Sequence, residues 1–192
     1  MRLTLIMGPM FAGKSSAVIT KVRRAEVIGW KTLIITSSID TRYENTDTVA
    51  SKIITHDKNS LSAVGVSVLK GVCERADYIA ARLIVIEEAQ FFPDLYDFVV
   101  NSVEKYGKDV IVVGLDGDSD RKPFGQILEL VPMADEILRL TSLCKRCGDG
   151  SPALFSALVR GASKSAQIFV GANDMYEAMC RKHYLENSLL SS

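Results

Sequence analysis

Residues 3–15 read Leu3-Thr4-Leu5-Ile6-Met7-Gly8-Pro9-Met10-Phe11-Ala12-Gly13-Lys14-Ser15, and their reading decides the fold. A short apolar run feeds the pattern G-x-x-x-x-G-K-[ST], with every fixed position filled. The chemistry explains the residue types. A polyphosphate needs several N–H donors converging on its oxygens, and Gly8 and Gly13 let the backbone fold tightly enough to supply them. A helix starting at about Lys14 adds its unpaired N–H groups and positive dipole end. Lys14 then reaches the outer phosphates, and the Ser15 hydroxyl can hold Mg²⁺.

Working outward, Val18, Val22, Ala25 and Val27 recur near helical spacing. Lys21, Arg23, Arg24 and Glu26 give that helix a wet face, and Gly29 is its stop. Further apolar runs at residues 32–36, 83–86 and 110–115 are short, continuous and rich in Ile and Val, as strands covered on both faces must be. Residues 92–106 read as another helix, with Pro93 in its first turn and Gly107 at its end. Strands alternating with helices predict an α/β domain, a P-loop NTPase-like parallel sheet flanked by helices. Residues 41–60 are polar and read as a long loop or a small hairpin. Residues 118–125 form a second loop, basic at Arg121 and Lys122.

The chain of 192 residues has 23 Lys+Arg against 23 Asp+Glu, four cysteines and two histidines. It is long enough for one domain with a small appendage. Zero net charge argues against a general nucleic-acid or membrane-surface binder. No apolar run approaches ~18 residues, so no membrane span is expected. The apolar start runs straight into glycines and Lys14 and reads as a core strand, not a signal peptide. The expected setting is the cytoplasm, with reduced thiols.

The run at residues 83–86 ends in Glu87-Glu88. Adjacent side chains at an extended strand end point opposite ways. One can face a metal and its water shell. The other can take a proton from a hydroxyl attacking the γ-phosphorus. Two solvated charges at a strand end are the plain alternative.

From about Thr141 the character changes. Cys144-Lys145-Arg146-Cys147 and Cys180-Arg181-Lys182-His183 are two x₂-spaced pairs. Each spacing puts two ligands on one tight turn, half of a tetrahedral zinc site. Four ligands with no open position read as structural Zn²⁺. Cys73 lies among Val68, Leu69 and Val72 and reads as a small core residue. His56, in a polar loop, reads as a surface or loop-bracing residue.

Together these motifs resemble the thymidine kinases of the cytosolic type, the P-loop and zinc-containing class. The likeness spans nearly the whole chain in order. It is carried by residues 8–15, Asp40-Thr41-Arg42-Tyr43, Thr55-His56-Asp57 and Glu88-Ala89-Gln90-Phe91-Phe92-Pro93-Asp94. It continues through Gly114-Leu115-Asp116-Gly117, Arg121-Lys122-Pro123-Phe124-Gly125, and Tyr176 with Cys180-Arg181-Lys182-His183-Tyr184.

The resemblance implies residue roles. Glu88 is the general base for the 5′-hydroxyl of thymidine, with Lys14 as its catalytic partner at the phosphates. Gly8, Pro9, Met10, Phe11, Ala12, Gly13, Lys14 and Ser15 cradle ATP, with Asp40 and Arg42 near the phosphates. Glu87 takes the metal-side acidic position, where the family more often has Asp, and holds Mg²⁺ through water. Gln90 and Phe91 line the nucleoside site, and Met10 and Leu115 lie against the base. Gln167, Ile168, Phe169, Val170 and Gly171 offer backbone groups to the thymine edge, and Tyr176 closes over the sugar. Zinc pins both ends of this substrate-covering lasso.

The chain departs from the family pattern at Ser119, where an aromatic is usual and which Phe124 can replace. Other departures are Ala172 for a second Gly, Ser156 for Thr, Leu158 for Arg, and a short insertion at residues 148–152. They cluster in the nucleoside-binding half.

The sequence thus predicts a P-loop α/β domain over residues 1–140 and a zinc-binding lasso module over residues 141–192. The predicted activity converts ATP and thymidine to ADP and dTMP, a salvage step supplying DNA precursors. The rivals are a kinase with relaxed or altered pyrimidine specificity and a nucleotide-binding subunit that has lost catalysis. A zinc-ribbon reader of nucleic acid, motivated by Lys145, Arg146, Arg181 and Lys182, is a third. The resemblance implies a homotetramer; no membrane or nucleic-acid partner is expected.

Overall fold

A computed structural model describes residues 1–38, 50–54, 60–159 and 175–189. In chain order the chain forms β1 (Arg2–Met7), α1 (Lys14–Val27), β2 (Thr32–Ser37), β3 (Ala50–Ile54), β4 (Ser60–Val66), α2 (Ala76–Ala80), β5 (Leu83–Ile86), α3 (Leu95–Val100), β6 (Asp109–Gly114) and β7 (Glu136–Arg139). The C-terminal part adds β8 (Ser142–Leu143), β9 (Pro152–Ala153), β10 (Phe155–Leu158), β11 (Tyr176–Met179) and α4 (Arg181–Leu189).

Seven strands form one sheet in the order β3-β4-β2-β5-β6-β1-β7. All neighbours run parallel except β3, which pairs antiparallel with β4. The continuous apolar runs are explained by burial on both faces. Leu3, Leu5, Leu33, Ile35, Ile84, Ile86, Val110 and Val112 belong to one core layer. Ile6, Ile34, Leu83, Val85, Ile111 and Val113 belong to the other. Alternate residues of one strand therefore serve opposite layers. Val18, Val22 and Ala25 of α1 close the second layer. Leu95, Phe98 and Val99 of α3 close the first, and Cys73 packs at its margin as a small apolar residue.

Two local readings need correction. The helix expected over residues 92–106 begins only at Leu95 and passes at Asn101–Lys105 into a π-helical turn. Asp94 does not extend it: its carboxylate accepts the N–H groups of Leu69 and Lys70, at 3.1 and 2.7 Å. Strands β4 and β7 were hidden in the sequence. β4 reads Ser-Leu-Ser-Ala-Val-Gly-Val and β7 only Glu-Ile-Leu-Arg, so neither has the continuous apolar run of a central strand. The polar stretch at 41–60 contains β3, so its hairpin alternative holds where the structure describes it.

Candidate active site and metal centre

The phosphate loop occupies the turn from β1 into α1. Gly8 has φ 148°, and a Cβ there would run into the carbonyl oxygen of Leu140. The close approach is fixed by the Leu140 N–H, which donates to Met7 O at 2.8 Å. Gly13, at φ 77°, caps α1 in the left-handed region. Both glycines of the motif are thus required by the backbone path.

Lys14 folds back over its own loop. Its Nζ donates to Gly8 O at 3.1 Å and Pro9 O at 2.7 Å. Desolvation lowers its pKa to about 8, opposed by the charges of Glu87, Asp116 and Glu88, in that order. One field therefore joins the motif lysine to the acids at the ends of β5 and β6.

Glu87 and Glu88 are arranged differently from two successive strand residues. β5 stops at Ile86. The Glu87 N–H still donates to Ile35 O at 2.8 Å, and its side chain is buried at 6% exposure. Burial pushes its carboxyl up to about 7, against the pull of Lys14, Ser15 and the Glu88 backbone. Its Oε1 is buried with no hydrogen-bond partner among the described residues. Glu88 turns into the left-handed region at φ 52°. A non-glycine residue held there is strained, a feature concentrated at functional sites. The two acids do face different surroundings, one buried and one half-exposed, but the backbone turn, not strand alternation, separates them.

The nucleoside-side expectations converge on a second cluster. Gln90 is buried, and its Oε1 accepts the Leu115 N–H at 3.1 Å. A Cβ at Gly114 would strike the same oxygen, and one at Gly125 would strike Gln90 O. Phe91 and Phe124 meet edge to face, with centroids 5.6 Å apart. Gln90, Phe91, Leu115 and Phe124 are thus brought together from the two connections that follow β5 and β6. Met10, in the phosphate loop, reaches the C-terminal part, its N–H donating to Ser156 Oγ at 2.9 Å. Ser142 Oγ donates to Phe11 O at 3.1 Å. Two serines beyond residue 140 therefore grip the phosphate loop, a link that no motif announces.

Ser119 lies at the tip of a hairpin closed by the Gly117–Pro123 bridge. Its carbonyl accepts the Tyr184 hydroxyl at 2.7 Å. Tyr176 pairs with Leu158 on the β10–β11 ladder. Burial, then the charge of the Asp118 carboxylate, raises its phenol pKa. Arg121 is exposed, and its guanidinium stands 4.5 Å from the centroid of the Tyr184 ring. Asp40, Arg42, His56, Gln167, Ile168, Phe169, Val170, Gly171 and Ala172 lie outside the described residues.

Cys144, Cys147, Cys180 and His183 assemble as the x₂ spacings predict. Their ligand atoms all lie within 4.8 Å of one another. Each of the three Sγ atoms is 3.4 Å from His183 Nδ1, and Cys147 Sγ is 3.7 Å from Cys180 Sγ. A zinc tetrahedron with Zn–S of ~2.3 Å and Zn–N of ~2.0 Å has edges of about 3.5 and 3.8 Å, so the donor set fits Zn²⁺. His183 Nε2 turns outward to Glu186 Oε2 at 3.9 Å, the kind of outer partner that orients a ligating imidazole. Among the described residues the cluster rests on two two-residue strands, on β11 and on the small buried trio Cys144, Ala153 and Ala178. So small a core needs a metal to hold it.

Of the basic residues that motivated a nucleic-acid reader, Arg146 binds Glu177 at 3.0 Å and Asn187 at 3.0 Å. Arg181 lies 5.1 Å from the centroid of the Phe155 ring. Half of that positive charge is engaged internally. Among the described residues no helix is long and apolar enough to cross a membrane.

Comparison with known proteins agrees with this geometry. The thymidine kinase family profile matches residues 1–184. The chain is 37% identical over 187 residues to human cytosolic thymidine kinase, covering 97% of this chain and 74% of that protein. It is 38% identical over 185 residues to the thymidine kinase of vaccinia virus (strain Western Reserve), covering 96% and 97%. The bovine cytosolic enzyme is 38% identical over 187 residues, covering 97% of this chain and 73% of its own length.

Proposed function

The chain belongs to the thymidine kinase family, and we propose that it transfers the γ-phosphate of ATP to the 5′-hydroxyl of thymidine, supplying dTMP to DNA synthesis. The observation that carries this is the phosphate loop itself, with Lys14 Nζ folded onto Gly8 O and Pro9 O at 3.1 and 2.7 Å and the charges of Glu87, Asp116 and Glu88 acting on it. A cation that meets phosphates and an acid that can accept a proton stand within electrostatic reach of each other.

The residues divide the work as follows. The backbone from Gly8 to Ser15 cradles the phosphates of ATP, and Lys14 exchanges its bonds to Gly8 O and Pro9 O for phosphate oxygens. Glu88, held half-exposed by its left-handed backbone, accepts the proton of the attacking hydroxyl. The buried Glu87 Oε1, without a hydrogen-bond partner among the described residues, and the Ser15 hydroxyl suit a hydrated Mg²⁺. When bound, that ion neutralises charge on the transferring phosphoryl group. Gln90 holds the Leu115 backbone beside the nucleoside, with Phe91, Phe124 and Met10 as apolar walls and Tyr176 over the sugar. Asp40, Arg42 and the backbone of residues 167–171 complete the two subsites. Ser119 contributes to the nucleoside side through its backbone.

Zn²⁺ at Cys144, Cys147, Cys180 and His183 supplies cross-linking, not chemistry. In this reading residues 1–140 bind ATP and residues 141–192 cover the nucleoside. The protein acts in the cytoplasm as a homotetramer, which light scattering on the purified chain tests.

The deciding experiment measures ADP and monophosphate formation from ATP with a panel of deoxynucleosides, for wild type and Glu88→Gln. Thymidine should be preferred, and the variant should lose about 10²–10⁴-fold in kcat. A preference for a purine, or transfer to no nucleoside at all, defeats the proposal. Equal use of deoxyuridine would favour the relaxed-specificity reading.

A further inference from the structure

The hairpin at residues 117–123 links two parts of the molecule. At its base, Asp116 acts on Lys14, Leu115 is bound to Gln90, and Phe124 stacks on Phe91. At its tip it meets the metal-ligand module, through Ser119 and Arg121. Tyr184, the residue after His183, is 6% exposed. Its hydroxyl donates to Ser119 O at 2.7 Å, and its N–H donates to Cys180 O at 2.9 Å. Its ring packs on Phe155 with centroids 5.1 Å apart.

Arg121 closes the same joint from the hairpin side. Its guanidinium lies 4.5 Å from the Tyr184 centroid and 5.7 Å from that of Phe155. It holds a left-handed backbone, φ 66°, within a turn braced by Asp118. The Asp118 carboxylate accepts the N–H groups of Asp120 and Lys122, each at 2.9 Å. These bonds brace the turn, so fastening its tip constrains where its base sits.

We propose that Tyr184 and Arg121 are positioning residues that fasten the substrate-side hairpin to the Cys₃His module, so that order at the metal cluster sets nucleoside affinity. The proposal rests on the kinase reading above for its effect on affinity, and on geometry alone for the fastening. The position where the family pattern has an aromatic, Ser119, contributes a carbonyl instead, and the aromatic mass comes from Tyr184 and Phe155 across the joint.

Tyr184→Phe in the metal-loaded full chain removes the hydroxyl and keeps both ring contacts. Amide exchange at residues 117–123 should quicken, and the KM for thymidine should rise, each by about fivefold, the worth of one neutral hydrogen bond. Turnover and the KM for ATP should stay within about twofold, the signature of lost substrate binding without lost transition-state contacts. Metal content should be unchanged. Arg121→Gln should act in the same direction, and chelation of the wild type should quicken exchange in the same segment. Unchanged exchange at 117–123 in both variants overturns the fastening. So does a uniform loss of turnover, both KM values and metal together, which a merely structural role produces. A wild type that phosphorylates no nucleoside defeats the kinase reading instead, and the exchange result then decides the fastening by itself.

Discussion

The N–H of Met10, in the middle of the phosphate loop, is bound by the Ser156 hydroxyl of β10 at 2.9 Å. An amide that could point at a phosphate is instead tied to the segment proposed to cover the nucleoside. Ser156 is 5% exposed, so the bond is sheltered from water. Ser156→Ala should cost about 1–2 kcal/mol in urea unfolding, because a donor is left unsatisfied. Ser156→Thr should retain most of that stability, since a hydroxyl is kept.

Lys14→Ala should lower kcat by at least ~10³-fold while leaving the unfolding midpoint unchanged or raised. The ammonium is desolvated, and among the described residues its hydrogen bonds go to two loop carbonyls, so little native stability rests on it. Circular dichroism melts beside a transfer assay check both halves.

Glu87 predicts a pH dependence of stability in the absence of Mg²⁺. Its folded pKa, about 7, lies above its ordinary value of 4.5. The folded state therefore binds more protons between these values, and stability falls as pH rises from about 4.5 through about 7, by up to about 3 kcal/mol. Glu87→Gln should flatten that slope and raise the melting temperature at pH 8. Denaturant titrations across pH 5–8 measure the difference; a slope unaltered by the variant contradicts it.

Metal analysis should find about one zinc per chain, as four closed ligands require. Chelation should unfold residues 142–158 and 176–189 first, read by proteolysis. It should weaken thymidine binding more than ATP binding, because the phosphate loop is built by the sheet.

The phosphate loop, the acidic pair and the metal ligands were all legible because each is a short-range pattern. G-x-x-x-x-G-K-S specifies a backbone shape, and C-x₂-C with C-x₂-H specifies two turns. The central strands were legible because burial on both faces demands continuous apolar runs, as at Leu83-Ile84-Val85-Ile86. β7 was not, because as an edge strand its four residues alternate half-buried and exposed. The short α3 was overestimated because residues 101–105 keep helical periodicity while widening into a π turn. Arg121 could not be read, since its partners Tyr184 and Phe155 are remote in sequence and an arginine in a polar loop is usually solvated.

Residue type and spacing alone point to the chemistry of each part: a phosphate-loop pattern, acids at a strand end, and a tetrahedral donor set. Those follow from residue type and local spacing, which act through the nearest few peptide units. Only the tertiary structure decided how the parts are joined. It set Ser156 and Ser142 on the phosphate loop, turned Glu88 away from Glu87 through a left-handed residue, and fastened the 117–123 hairpin to Tyr184. Such contacts span 65 to 146 residues of chain. They depend on two surfaces meeting in space, a relation that no local pattern encodes.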